Sequence, residues 1–206
     1  MNEEPHNQYQ KPELNHIKKS NKDSVKTIST TIGMFLLAPV IALILVAFVF
    51  QSYRVDGASM ETTLSNNDRL IVTKIAKTWS RITHNSYIPA RYDIVVFKKS
   101  ETFGLKNLDE IQLIKRVIGL PGERVVVKNG TVTVYNRENP NGFNPDNNQK
   151  YSSGIDTTSG NVDVALGDNE IFVMGDNRGN SLDSRAFGPI NANSLVGTLA
   201  FRIYPF

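Results

Sequence analysis

No charged residue occurs between Lys26 and Arg54, and that gap constrains the chain more than any other feature. Within it, Ile32 to Phe50 is almost entirely apolar, with Pro39 inside the run. A helix needs about 20 such residues to cross the hydrocarbon core of a bilayer. Membrane helices also accommodate an internal proline better than soluble ones. A buried core helix this uniformly apolar would be unusual in so small a domain. A cleavable leader has a shorter apolar region, about 7–15 residues, followed by a small-x-small site. Here Val49-Phe50-Gln51-Ser52-Tyr53 follows, which is a poor site. The run therefore reads as an uncleaved anchor over residues 28–50. Lys18, Lys19, Lys22 and Lys26 precede it, and positive flanks stay in the cytoplasm. The expected layout is a polar, disordered cytoplasmic tail over 1–27, a single span, and a domain over 51–206 on the far side of the cell membrane. No second apolar run of spanning length follows.

Composition narrows the chemistry. The net charge is only +3 and the basic residues are dispersed, which disfavours nucleic acid as a partner because a phosphate footprint needs clustered Lys and Arg. The chain has no cysteine, which excludes disulfides, thiol catalysis and cysteine metal sites. Of three histidines, His6 and His16 lie in the tail and His84 in a polar segment. A zinc site is thereby disfavoured, and a Ser-His-Asp triad would rest on His84 alone. Neither a metal nor an organic cofactor is expected.

From Arg69 onward, short β-type runs alternate with turn residues. The clearest are Ile94 to Phe97, Ile111 to Ile118, Glu170 to Met174 and Gly197 to Tyr204. Arg124 to Lys128 and Thr131 to Tyr135 flank Asn129-Gly130, the strongest short-range hairpin signal. The outer domain is expected to be mostly β, an antiparallel folded or barrel-like arrangement. Residues 136–169 are rich in Asn, Gly, Pro, Asp, Ser and Thr and read as a tolerated surface insertion. Residues 77–90 read as a loop whose Trp79 and Tyr87 could touch a membrane surface or pack on the sheet, with packing the favoured reading.

Two short segments carry the chemical interest. Ser59 stands in Gly57-Ala58-Ser59-Met60, nine residues beyond the apolar run, so the connecting chain keeps it near the membrane. Gly57 permits a positive φ or a close backbone approach. Lys115 lies between Leu113-Ile114 and Val117-Ile118. Side chains alternate faces along a strand, so Lys115 shares an apolar face with Leu113 and Val117. A lysine there either extends its amine to water or loses charge, because burial disfavours the ammonium form. A neutral lysine is a competent general base. Alone, Ser59 reads first as a turn residue and Lys115 first as an edge-strand lysine that blunts aggregation. A third segment, Met174 to Arg185, offers hydroxyls that could orient an amine and carboxylate–guanidinium pairs that could lock a loop.

Taken together these segments resemble type I signal peptidases, in the Gram-positive branch with a single anchor. The matching pieces occur in that family's order. They are the anchor, Gly57 to Leu64, Tyr92 to Phe97, Ile114 to Glu123, and Met174-Gly175-Asp176-Asn177-Arg178 through Ser181-Leu182-Asp183-Ser184-Arg185. The resemblance implies Ser59 as nucleophile, with its N–H as one oxyanion donor, and Lys115 as general base. Ser181 resembles the serine that hydrogen-bonds the lysine amine. Gly57 replaces the serine that supplies a second oxyanion donor in many relatives. Arg116 with Asp176, and Asp183 with Arg185, resemble supporting ion pairs. Tyr53, Val55, Met60, Leu64, Val96 and Ile114 fall where the family lines shallow pockets for small side chains. One departure is Thr62, where the family usually has proline.

The implied activity is that of a membrane-anchored serine endopeptidase. It would remove signal peptides from exported preproteins after a small-x-small site, with lipid as its other partner. The rival readings are a processing peptidase dedicated to one partner protein, and an inactive anchored β-module that binds exported chains.

Overall fold

The computed structural model describes residues 15–83, 86–100, 110–148, 155 and 157–203. The first fourteen residues with His6, His84, Tyr204 and part of the polar insertion (149–154 and 156) lie outside the described residues. The chain divides into two compact units, Met1–Leu45 and Val46–Phe206.

The first unit holds most of helix α1 (Asn15–Phe48), which contains Pro39. Its stretch Lys26–Val46 is 21 residues long and apolar enough to cross a membrane, and none of it is buried. Apolar side chains from Ile28 to Phe48 stand exposed around it, as they do on a helix whose apolar partner is lipid.

The second unit is mostly antiparallel β. One sheet has seven strands. In spatial order these are β1 (Phe50–Arg54), β2 (Arg69–Thr73), β10 (Leu195–Ile203), β3 (Ile94–Ser100), β4 (Glu110–Gly119), β8 (Glu170–Met174) and β9 (Ile190–Asn191). A second sheet has β6 (Thr131–Tyr135), β5 (Arg124–Lys128) and β7 (Val162–Ala165) in that order. Neither sheet closes on itself, since β1 and β9 end the larger one. The expected β class holds, and of its two forms the folded, open one is adopted. The β5–β6 hairpin turns at Asn129-Gly130, both at positive φ, as the primed turn that suits strand twist requires.

Burial follows the alternation of each strand. Val125 and Val127 of β5, with Val132 and Val134 of β6, point into one core with Ile118, Phe172 and Met174. Val95, Phe97, Val117, Ile171 and Val173 build a second core. Val55, Met60, Leu64, Leu70 and Ile94 build a third. Buried Glu123 clamps the junction of β4 and β5. It accepts from Arg91 Nη2 at 2.5 Å, Asn136 Nδ2 at 2.8 Å and Leu120 N at 2.8 Å.

Two expectations need correction. The segment read as a loop over 77–90 begins as a nine-residue helix, α2 (Ile75–Thr83). Tyr87 does pack on the sheet, its hydroxyl 2.9 Å from Thr198 Oγ1. Trp79 does not: it is 65 % exposed, because the helix turns its face with Ile75 and Ile82 outward. The polar insertion also does more than cover surface. Its Asp146 and Thr158 hold Arg178 in the loop beyond β8, through bonds of 2.6 Å each to Nη1 and a further 2.6 Å bond from Nη2 to Asp146 Oδ1.

Candidate active site

Ser59 lies in the connection between β1 and β2. The base of this connection is closed by Val55 N–H donating to Asp68 O (2.8 Å) and Asn67 N–H to Val55 O (2.9 Å). Met60 and Leu64, both fully buried in the third core, pin the turn from inside. Thr63 N and Leu64 N donate to Met60 O at 2.9 and 2.8 Å, so the turn forms with Thr62 at the position of the family's proline. Buried Asp68 pairs with Arg202 at 2.7 Å, and Arg202 Nη1 also reaches Thr63 O at 2.9 Å. Gly57 adopts φ +96°, and its N–H donates to Asn66 Oδ1 at 3.0 Å. A Cβ there would meet nothing within 4 Å, so the demand for glycine at this position is conformational.

Lys115 sits in β4 opposite Val95. It is only 3 % exposed. Its Nζ lies 2.8 Å from Ser59 Oγ and 2.9 Å from Ile114 O. Burial pushes the amine's pKa below the ordinary lysine value of 10.5, while the Asp183 and Asp176 carboxylates pull part of the way back. The strand therefore supplies what the alternation pattern requires, a charged residue type on an apolar wall with its neutral form favoured.

The loop after β8 completes the surroundings. Asn177 N–H donates to Ser59 O at 3.1 Å and Asn177 Nδ2 to Ala58 O at 3.1 Å, fixing the backbone on both sides of the Ala58–Ser59 peptide. Arg116 and Asp176 form a buried two-pronged pair, Nε to Oδ1 at 2.8 Å and Nη2 to Oδ2 at 2.6 Å. Arg116 also ties in Tyr92 O (2.8 Å) and Thr63 Oγ1 (3.2 Å). Asp183 and Arg185 form a second such pair, with both bonds at 2.8 Å. Burial pushes the Asp183 carboxyl up, but the Arg185 hydrogen bond, Gly175 N–H, the Arg185 charge and Ser181 together hold it below its usual range. Its oxygens also cap the short helix α3 (Ser184–Phe187) at Arg185 N.

Gly175 makes the approach of these two segments possible. A Cβ at that position would stand 2.4 Å from Ser59 O and 2.2 Å from Ser181 Oγ, far inside contact distance. Ser181 is close to the site but does not hold the lysine amine here, whose bonds go to Ser59 and Ile114. Its hydroxyl is buried without a hydrogen bond of normal geometry, and its influence falls on the Asp183 carboxylate.

A cleft of about 130 Å³ opens beside the Ser59–Lys115 pair. Of the pocket residues expected from sequence, Tyr53, Val55, Val96 and Ile114 line it. Met60 and Leu64 do not; they are core residues beneath the serine turn. Arg54, Asp56, Leu70, Gln112 and Leu113 also contribute. β4 pairs with β3 along Glu110–Arg116 but with β8 only at Arg116, Val117 and Gly119. The other edge of β4 before Arg116 thus has no strand partner among the described residues.

Sequence reasoning gave no role to Asn177, Arg178 or Gly175, although all three stand in the segment it singled out. Their polar, glycine-dense spacing was the available signal. What they touch depends on chain crossings that only the fold supplies.

A serine hydroxyl 2.8 Å from a buried lysine amine, in a β fold beside an apolar cleft, defines the class of Ser-Lys hydrolases. Comparison with known sequences gives the family. The family described as signal peptidase, peptidase S26, matches residues 28–204, and the chain belongs to it. The chain is 33 % identical to signal peptidase I S of Bacillus subtilis (strain 168) over 193 residues, 92 % of this chain and 96 % of the relative. It is 36 % identical to signal peptidase I of Bacillus caldolyticus over 166 residues, 77 % and 82 % of the two chains. A crystal structure of a signal peptidase I from Enterococcus faecalis V583 aligns with TM-score 0.42 and 25 % identity, covering 55 % of this chain and 98 % of that one. The protein is thus a signal peptidase of the serine endopeptidase type, a family that removes signal peptides from preproteins and is bound to membranes. The apolar helix at its N-terminus is consistent with an anchor.

Proposed function

We propose that the protein cuts exported preproteins after a small-x-small site, with Ser59 as nucleophile and Lys115 as general base. The observation that carries this reading is the 2.8 Å contact between Ser59 Oγ and an amine whose burial favours its neutral form. Neutral Lys115 takes the Ser59 hydroxyl proton as Oγ attacks the scissile carbonyl carbon. The oxyanion forms against the Ser59 N–H. The ammonium then gives its proton to the leaving amine, which departs as the N-terminus of the mature chain. Water, deprotonated by the same amine, hydrolyses the Ser59 ester and releases the signal peptide as a carboxylate.

The substrate is expected to lie extended against the unpaired edge of β4, adding main-chain hydrogen bonds. Tyr53, Val55, Val96 and Ile114 then bound two shallow pockets that admit small side chains. Asn177, Gly175 and the ion pairs Arg116–Asp176 and Asp183–Arg185 act as positioning residues, with Ser181 beside them. In the same reading residues 1–27 are a cytoplasmic tail, 28–50 a single span, and 51–206, with its insertion at 136–169, an extracytoplasmic catalytic domain.

The test is cleavage of an Ala-x-Ala preprotein by detergent-purified protein, beside Ser59→Ala and Lys115→Ala, with sequencing of the new N-terminus. Cleavage after the second alanine by the unsubstituted protein alone is expected. Cleavage of only one preprotein in a panel would replace this reading with a dedicated processing peptidase. Binding without cleavage by well-folded protein would replace it with an anchored binding module.

A further inference from the structure

Helix α2 presents its apolar residues to the outside. Ile75, Trp79 and Ile82 recur at i, i+4 and i+7, one face of a helix, and are 53, 65 and 67 % exposed. Lys77 and Thr78 face the other way. Lys77 Nζ donates to Asn193 O at 2.8 Å and Thr78 Oγ1 to Phe48 O at 3.1 Å, so the tethers to the domain are made by the side a soluble helix would give to water. The only charged residues from 74 to 83 are basic: Lys74, Lys77 and Arg81.

The helix is also fastened to residues that follow closely on the apolar span in the chain. Lys74 N–H donates to Val49 O at 2.7 Å, and with the Thr78 bond this fastens the start of α2 to residues 48–49. The apolar span ends at Val46, so those two residues follow it within about 10 Å of extended chain. Phe48 and Phe50, both exposed, stand in the same short connection. A basic amphipathic helix with a tryptophan on its apolar face is the pattern of helices that lie in the headgroup region, their apolar side reaching about 5–10 Å inward.

We propose that α2 is an interfacial helix. It lies in the surface of the bilayer that the preceding span enters, with Trp79 in the boundary layer and an all-positive set of charges in the segment, Lys74, Lys77 and Arg81, that favours an anionic surface. Its role is to set the height of the cleft over the membrane, so that a substrate still held in lipid reaches it. The inference rests on membrane anchoring by the preceding helix, but not on Ser59 or Lys115 acting as assigned.

Trp79 is the only tryptophan in the chain, so its fluorescence reports on this helix alone. The full-length protein is reconstituted into phosphatidylcholine–phosphatidylglycerol nanodiscs, and co-elution with lipid checks the anchor separately. With lipids brominated at shallow acyl carbons, Trp79 emission should fall by about twofold while aqueous iodide quenches it little, as a depth of 5–10 Å requires. Emission quenched freely by iodide and untouched by brominated lipid, in protein that does co-elute, would overturn the proposal. So would a blue shift that grows with protein density and ignores the bromine, which would mark a second copy of the chain as the partner. In a second experiment, the double variant Ile75→Glu, Ile82→Glu should lose about tenfold in cleavage of a preprotein inserted in the same bilayer, roughly the cost of removing one or two apolar contacts with lipid. Its cleavage of a soluble peptide should be unchanged. Equal loss on both substrates would assign the stripe to packing and overturn the proposal.

Discussion

Lys115 and helix α2 break the usual partition of residues in opposite directions. At Lys115 an amine is enclosed by β-strand side chains and left 3 % exposed. On α2 a tryptophan and two isoleucines face outward while a lysine and a threonine make the tethers. The enclosed amine loses the water that stabilises its charge, and its pKa falls, which is what the proposed general base requires. The outward apolar stripe gains nothing from water and so implies another neighbour. Departures from the pattern of apolar inside and charged outside tend to mark function, and here they carry two different proposals, one for chemistry and one for placement.

The comparison is sharpened most by replacing the enclosed amine. Lys115→Met should lower cleavage by about 10⁴-fold or more, the scale of losing a member of a nucleophile–base unit. It should leave thermal stability equal or higher, because a buried polar amine is exchanged for apolar volume. The folded-state pKa of Lys115 lies below the unfolded value of 10.5. Between the two the unfolded chain holds more protons, so stability rises with pH across that window, and the variant should lack this rise in thermal melts. Lys115→Arg should be equally inactive, since a guanidinium keeps its charge.

Gly175→Ala comes next. The new Cβ would sit 2.4 Å from Ser59 O, so the serine turn must shift. A displacement of that size should cost about 10²-fold in kcat, measured on a peptide substrate in a variant that still melts cooperatively. Asp176→Ala strands the buried Arg116 guanidinium and should lower unfolding stability by about 3–5 kcal/mol in denaturant titration. The other half of the comparison predicts the smallest effect. Ile82→Ser in detergent solution should change stability by no more than about 0.5 kcal/mol, as for an exposed site. A loss of several kcal/mol would mean that the stripe is packed and would break the contrast.

Much of this was legible in the sequence, for identifiable reasons. The apolar helix is readable because a long uncharged apolar run has few alternatives. The β5–β6 hairpin is readable because Asn129-Gly130 states its own turn type. Ser59 and Lys115 became readable together, through their motifs and the apolar flanks of the lysine. The resemblance places Met60 and Leu64 at the pockets, but the structure buries them in the core beneath the serine turn, and a matching motif does not say whether an apolar side chain meets a cleft or a core. Helix α2 was hidden by its nine-residue length and its mixture of Ile, Trp, Thr and Ser, residues with middling helix propensity. The bracing of Arg178 by Asp146 joins residues 32 apart, and no local pattern encodes such a pair. Strand order likewise decides between an open sheet and a barrel, and it is set by long-range pairing.

The central claim is that burial makes Lys115 a base, and the pH dependence of kcat/KM on a soluble Ala-x-Ala peptide tests it most directly. Because the amine must be neutral to accept the Ser59 proton, the rate should rise with pH and level off before the ordinary lysine value of 10.5 is reached. A profile that is flat from about pH 5 to 10 around that reference lysine pKa would contradict the account.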